Sequence, residues 1–180
     1  MKNIVRIGLL VGALFAADAA MAAGNTSATT ANVTTTIIRP ISVTKNTDLH
    51  FGTIVRPGTG SGTVGLTTAN VSSVTGTGAI LLPSSSTSAA NFTVSGEGGQ
   101  AFTLVIDSTV TLTNTATSGG TLTVTTVNDA ACTTSCALSG ALGDVANGAK
   151  VVNVAGSFPF TSLTNTGAYT GTLNISATYN

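Results

Sequence analysis

One histidine, two cysteines and a handful of carboxylates are all that this chain offers to chemistry. His50 stands alone in the stretch Leu49-His50-Phe51, and a surface-facing or locally bonded role suits it better than catalysis. Cys132 and Cys136 enclose Thr-Thr-Ser. A redox pair would need C-x-x-C at a helix start, and a zinc site would need two further ligands, so a disulfide stapling one loop is the expected state. The carboxylates of Asp48, Glu97, Asp107, Asp129 and Asp144 are dispersed, and nothing in their spacing pairs them as a glycosidase would require. No G-x-S-x-G elbow, H-E-x-x-H helix or P-loop spacing occurs. Neither Asp107 nor Asp129 sits in a run of acidic calcium ligands. The expectation is a protein that is not an enzyme, with no catalytic residue, metal or cofactor.

The N-terminus assigns a compartment. Lys2 and Arg6 give a positive n-region, Ile7 to Phe15 an apolar run, and Ala20-Met21-Ala22 the small-x-small cleavage pattern. The apolar run is well short of the roughly 20 residues that span a bilayer, and Asp18 follows it closely. Residues 1–22 are therefore read as a cleaved signal peptide, with the mature chain beginning at Ala23 and carrying no membrane span. Export to the periplasm, cell surface or extracellular space follows. Of six basic and six acidic residues in the chain, the leader holds Lys2, Arg6 and Asp18. The remaining balance near −1 leaves no electrostatic footprint for nucleic acid.

The elements that must hold these residues are strands. Charged residues are 7 % of the chain, against about 25 % in ordinary globular domains, and Thr, Ser and Asn supply the polarity instead. Period-two alternation runs through Val33-Thr35-Ile37, Ile41-Val43, Phe92-Val94, Phe102-Leu104-Ile106, Val110-Leu112, Leu122-Val124, Val152-Val154 and Phe158-Phe160. Gly- and Pro-rich turns such as Arg56-Pro57-Gly58 and Gly96-Glu97-Gly98-Gly99 separate these runs. Short strands about every 10 residues predict an all-β, immunoglobulin-like antiparallel β-sandwich. The domain plan is 1–22 signal peptide, 23–38 N-terminal extension and 39–180 sandwich. A helix has a place only around 137–145, where two glycines oppose it.

From Gly167 to Asn180 the alternation predicts one last strand, with Tyr169, Gly171, Leu173, Ile175, Ala177 and Tyr179 on one face. A final core strand alone would account for it. The stretch also resembles the last strand of chaperone–usher pilins, which carry a penultimate tyrosine and a glycine fourteen positions from the end. Tyr179 and Gly167 occupy those places. Asp48-Leu49-His50-Phe51-Gly52 is similar to an element of archaic, spore-coat-U-like pilins. Together with Phe92 to Gly96 (F-x-V-x-G) and Gly167 to Gly171 (G-x-Y-x-G), it also resembles exported bacterial domains of unknown function sharing these motifs. Two departures stand out: the cysteine pair lies late, and Ala23 to Ala31 is poor in bulky alternating residues.

The resemblance implies a subunit of a cell-surface fibre, a pilus or fimbria, assembled by β-strand addition. Val33, Thr35 and Ile37 would be the donor-strand plugs. Gly167, Tyr169, Leu173, Ile175, Ala177 and Tyr179 would form the last strand beside the acceptor groove. The implied partners are other copies of the chain, head to tail, and a periplasmic chaperone and usher. The competing expectation is a self-contained, monomeric surface or periplasmic binding module whose own first strand completes the sheet.

Overall fold

A computed structural model describes residues 27–180 apart from 84, 117–118, 131–134 and 144–147. The signal-peptide reading, Cys132 and Asp144 lie outside the described residues. The chain divides into residues 1–35 and a compact unit of residues 36–180. Within the first, residues 27–35 are irregular and exposed.

The compact unit is all-β, with no helix among the described residues. Its strands are β1 (Ser42–Thr47), β2 (Ile54–Val55), β3 (Ser61–Leu66), β4 (Ser72–Val74), β5 (Ile80–Leu81), β6 (Ala90–Ser95) and β7 (Ala101–Ile106). There follow β8 (Thr109–Asn114), β9 (Thr121–Asn128), β10 (Cys136–Ala137), β11 (Ala149–Thr161), β12 (Tyr169–Thr170) and β13 (Ile175–Tyr179). One curled sheet runs β1-β6-β11-β9-β8-β12, and the β3–β4 hairpin pairs with the far half of β11. A second sheet, β10-β7-β13, covers it, and β2–β5 forms a separate short ladder. Every ladder is antiparallel. This is the immunoglobulin-like sandwich: β1, β6, β11 and β9 take the A-B-E-D order of one sheet, and β7 and β13 the C and F places of the other.

Alternation builds the core. Val94 of β6, Phe102 of β7 and Val152 and Val154 of β11 are completely buried and meet between the sheets. A second cluster gathers Val64, Val110, Val124, Phe158 and Phe160. There Phe51 stands edge-on to Phe158, ring centroids 5.1 Å apart. On the outer face of β8 and β9, Thr109, Thr111 and Thr113 stand directly opposite Thr125, Thr123 and Thr121, all exposed. These threonine rows keep the face polar without charge.

The structure corrects two expectations. Gly167 to Asn180 is not one strand: β12 pairs with β8 in the large sheet, whereas β13 pairs with β7 in the small one. The chain changes sheets at residues 171–174. Gly171 permits this because a Cβ there would stand 2.5 Å from the Thr111 carbonyl oxygen. Asp107 secures the crossing by accepting from the Asn174 backbone N–H (2.9 Å) and side-chain amide (2.8 Å). Nor are Val152-Val154 and Phe158-Phe160 separate short strands, for both lie on the 13-residue β11. Gly156 and the buried Ala155 interrupt its alternation, so the apolar run reads as two pieces.

Candidate functional site: an open seam between the first and last strands

β1 and β13 are both edge strands, and they approach one another across the open side of the sandwich. The seventh place of an immunoglobulin-like sandwich lies beside β13, and among the described residues no strand pairs there. Asp107 N–H donates to the Asn174 carbonyl, and Asn180 N–H to that of Ala101. With the two-residue period of an antiparallel ladder, Ser176 and Thr178 also aim their backbone groups at β7. The N–H and C=O groups of Ile175, Ala177 and Tyr179 therefore face away from it, along the free edge.

The side chains along this seam are incompletely covered. Ile175, Ala177 and Tyr179 of β13, Leu173 before it, and Ile41 and Val43 around the start of β1 all pack against the main core. All remain half-buried, whereas their counterparts on β6 and β11 are sealed. An extended segment laid between β1 and β13 would cover this apolar row and meet an unpaired backbone edge, the two requirements of strand addition.

A polar clamp closes one end of the seam. The Tyr179 hydroxyl donates to the Arg39 carbonyl (2.9 Å) and accepts from the Glu97 backbone N–H (2.6 Å). The Glu97 carboxylate, 4 % exposed, accepts from Arg39 N–H (3.2 Å) and Nε–H (3.1 Å) at Oε2 and from Gly143 N–H (2.5 Å) at Oε1. The Gly143 N–H, then the Arg39 N–H and guanidinium, hold this carboxyl below its ordinary value of 4.5. Gly96 makes the approach of the tyrosine possible, since a Cβ there would lie 2.2 Å from the hydroxyl oxygen.

The expected site residues fall into separate groups. Leu173, Ile175, Ala177 and Tyr179 line the seam, as just described. Gly167 and Tyr169 lie elsewhere: Tyr169 is in β12, its hydroxyl donating to the Asn165 carbonyl (2.8 Å). Gly167 has φ +140° and sits over Asn114, whose Oδ1 would be 2.5 Å from an added Cβ. Val33 and Ile37 are 95 % and 88 % exposed, and Thr35 is exposed as well. Cys136 opens β10, opposite Phe102, and is buried and not a free thiol.

His50 is exposed, bridges to Ser88, and places Nδ1 2.7 Å from the Ser86 carbonyl. Asp48 pairs with Lys45 (2.6 Å). Arg39 and Glu97 carry the clamp, although in the sequence Glu97 is one of five dispersed carboxylates and a member of a Gly-rich turn, with nothing to pair it with Arg39. Its sole signal was position, one residue beyond the F-x-V-x-G motif.

The D-L-x-F-G motif proves architectural. Leu49 packs on the core and Phe51 on Phe158. Gly52 has φ +79°, with Ser85 and Leu81 side chains within 2.9 Å of an added Cβ. Among the described residues no three His, Cys, Asp or Glu side chains gather to hold a metal ion.

No curated protein and no solved structure matches the chain. A family model described as a domain of unknown function (DUF4402) matches residues 41–179, from the residue before β1 to the last of β13. Sandwich and seam lie inside that match, and the chain belongs to this family.

Proposed function

We propose that the protein is a structural subunit of an exported cell-surface fibre, assembled by β-strand addition. The seam between β1 and β13 of one copy takes the N-terminal segment of the next. The observation that carries this reading is the half-exposed apolar row on β13 beside a backbone edge that no described strand pairs. Val33, Thr35 and Ile37 stand two residues apart, the spacing that puts alternate side chains on one face of an extended segment. Burying Val33 and Ile37 would contribute about 1.5–3 kcal/mol each, added to the hydrogen bonds of a new ladder. Because donor and acceptor surfaces differ, the contact is head-to-tail and propagates without closing.

Export by a signal peptide ending at Ala22, a Cys132–Cys136 disulfide, and a chaperone and usher that shield the seam before assembly belong to the same proposal. The test is electrophoresis of the concentrated mature protein in detergent without boiling. A ladder of multimers is expected, and Ile37→Asp should remove it while leaving the monomer's unfolding transition in place. A monomer of unchanging size at every concentration would favour the self-contained binding module.

A further inference from the structure

Strand addition has an internal competitor. The segment that would enter a neighbour's seam directly precedes β1, which is one wall of the chain's own seam. A reversal at residues 38–41 would lay it beside β1 as a hairpin. Tethering gives such an intramolecular partner an effective concentration in the millimolar range. Polymerisation by this route needs something that disfavours the turn.

Arg39 and Pro40 supply it. Both backbone groups of Arg39 are held: its N–H by Glu97 Oε2 and its carbonyl by the Tyr179 hydroxyl. Glu97 belongs to the turn between β6 and β7, and Tyr179 ends β13, so Arg39 is fixed from two sides. Pro40 has no N–H to give, and it confines the residue before it to extended backbone. A two-residue hairpin requires positive φ at its turn, supplied by Gly, Asn or Asp. Residues 38–41 read Ile-Arg-Pro-Ile, and Asn70 is the only described non-glycine with positive φ.

Resting on the strand-addition reading, we propose that the Arg39-Pro40 clamp determines partner choice. It denies the seam to the chain's own N-terminal segment and reserves it for a second copy of this chain.

The test uses the full mature protein in three forms: wild type, Tyr179→Phe, and the double variant Arg39→Asn with Pro40→Gly. Tyr179→Phe cuts the bond to the Arg39 carbonyl and removes the acceptor of Glu97 N–H. The double variant supplies an Asn-Gly turn while retaining Tyr179 and Glu97, so it decides the matter even if Tyr179→Phe folds poorly. Native mass spectrometry gives the monomer fraction at fixed concentration, and amide exchange reports protection at Val33 and Ile37 within the monomer.

Tyr179→Phe should raise the monomer fraction about fivefold, the factor carried by one hydrogen bond of ordinary strength. The double variant should raise it at least as far, with both amides protected. Variants that polymerise like wild type, with those amides unprotected in the residual monomer, would overturn the clamp and leave strand addition standing. A wild-type monomer whose own Val33 and Ile37 amides are protected would overturn it as well. A wild-type chain that neither polymerises nor protects them would remove the strand-addition reading itself.

Discussion

Tyr179 fixes three parts of the chain with one hydroxyl: the turn at Glu97, the carbonyl of Arg39 and, through the missing Cβ of Gly96, the end of β6. Its penultimate place was visible in the sequence. Its partner Glu97 was not, because a single buried carboxylate leaves no mark on hydrophobic periodicity. Acid should expose the role of that carboxylate. Its folded value lies below 4.5, so its stabilising contribution is fully present above 4.5 and is lost as pH falls through the lowered folded value. The melting temperature of wild type should exceed that of Glu97→Gln at neutral pH, with the gap narrowing below about 4.5. A gap independent of pH would remove the carboxylate from the clamp. At Cys136, mass spectrometry of exported protein should find one Cys132–Cys136 disulfide and no free thiol. A ring this small would stabilise by about 2 kcal/mol.

At the scale of elements, β6 was legible because it alternates cleanly and buries one face, and β7 because Phe102, Leu104 and Ile106 stand two apart, although only Phe102 is sealed and the apolar Val105 faces outward. The C-terminal stretch misled because a change of sheet preserves alternation: Tyr169 and Leu173 stay half-buried on either side of Gly171. What marks the break is the close approach of Gly171 to Thr111 and the Asp107–Asn174 bonds, which are long-range and invisible to a local pattern. A similar long-range row crosses the outer face of the large sheet. Asn46 donates to Asn91 (2.6 Å), Asn91 to Asn153 (2.6 Å) and Asn153 to Asp129 (2.7 Å), where the sequence shows only scattered amides. Within the small sheet, the sealed centre and the open edge should differ in their response to truncation. Phe102→Ala, at a completely buried site, should cost about 3–5 kcal/mol in any assembly state. Ile175→Ala, half-buried, should cost roughly 1–2 kcal/mol in the monomer and more once a donor strand covers it. Chemical denaturation of monomer and polymer separates the two, and equal costs at Ile175 in both states would argue against a covered seam.

At the scale of the whole molecule, the sandwich class followed from composition and period alone, whereas the seam did not. Which edges stay unpaired depends on strand order, and strand order comes from contacts between residues as distant as Phe102 and Tyr179. The central claim is that β13 offers its free edge to an incoming strand, and residue-resolved amide exchange on the mature protein, dilute and then concentrated, tests it most directly. The N–H groups of Ser176 and Thr178, turned toward β7, should be protected in both states. Those of Ile175, Ala177 and Tyr179 should exchange freely when dilute and become protected on assembly, together with Val33 and Ile37. Assembly that leaves Ile175, Ala177 and Tyr179 exchanging freely would contradict strand addition at this edge.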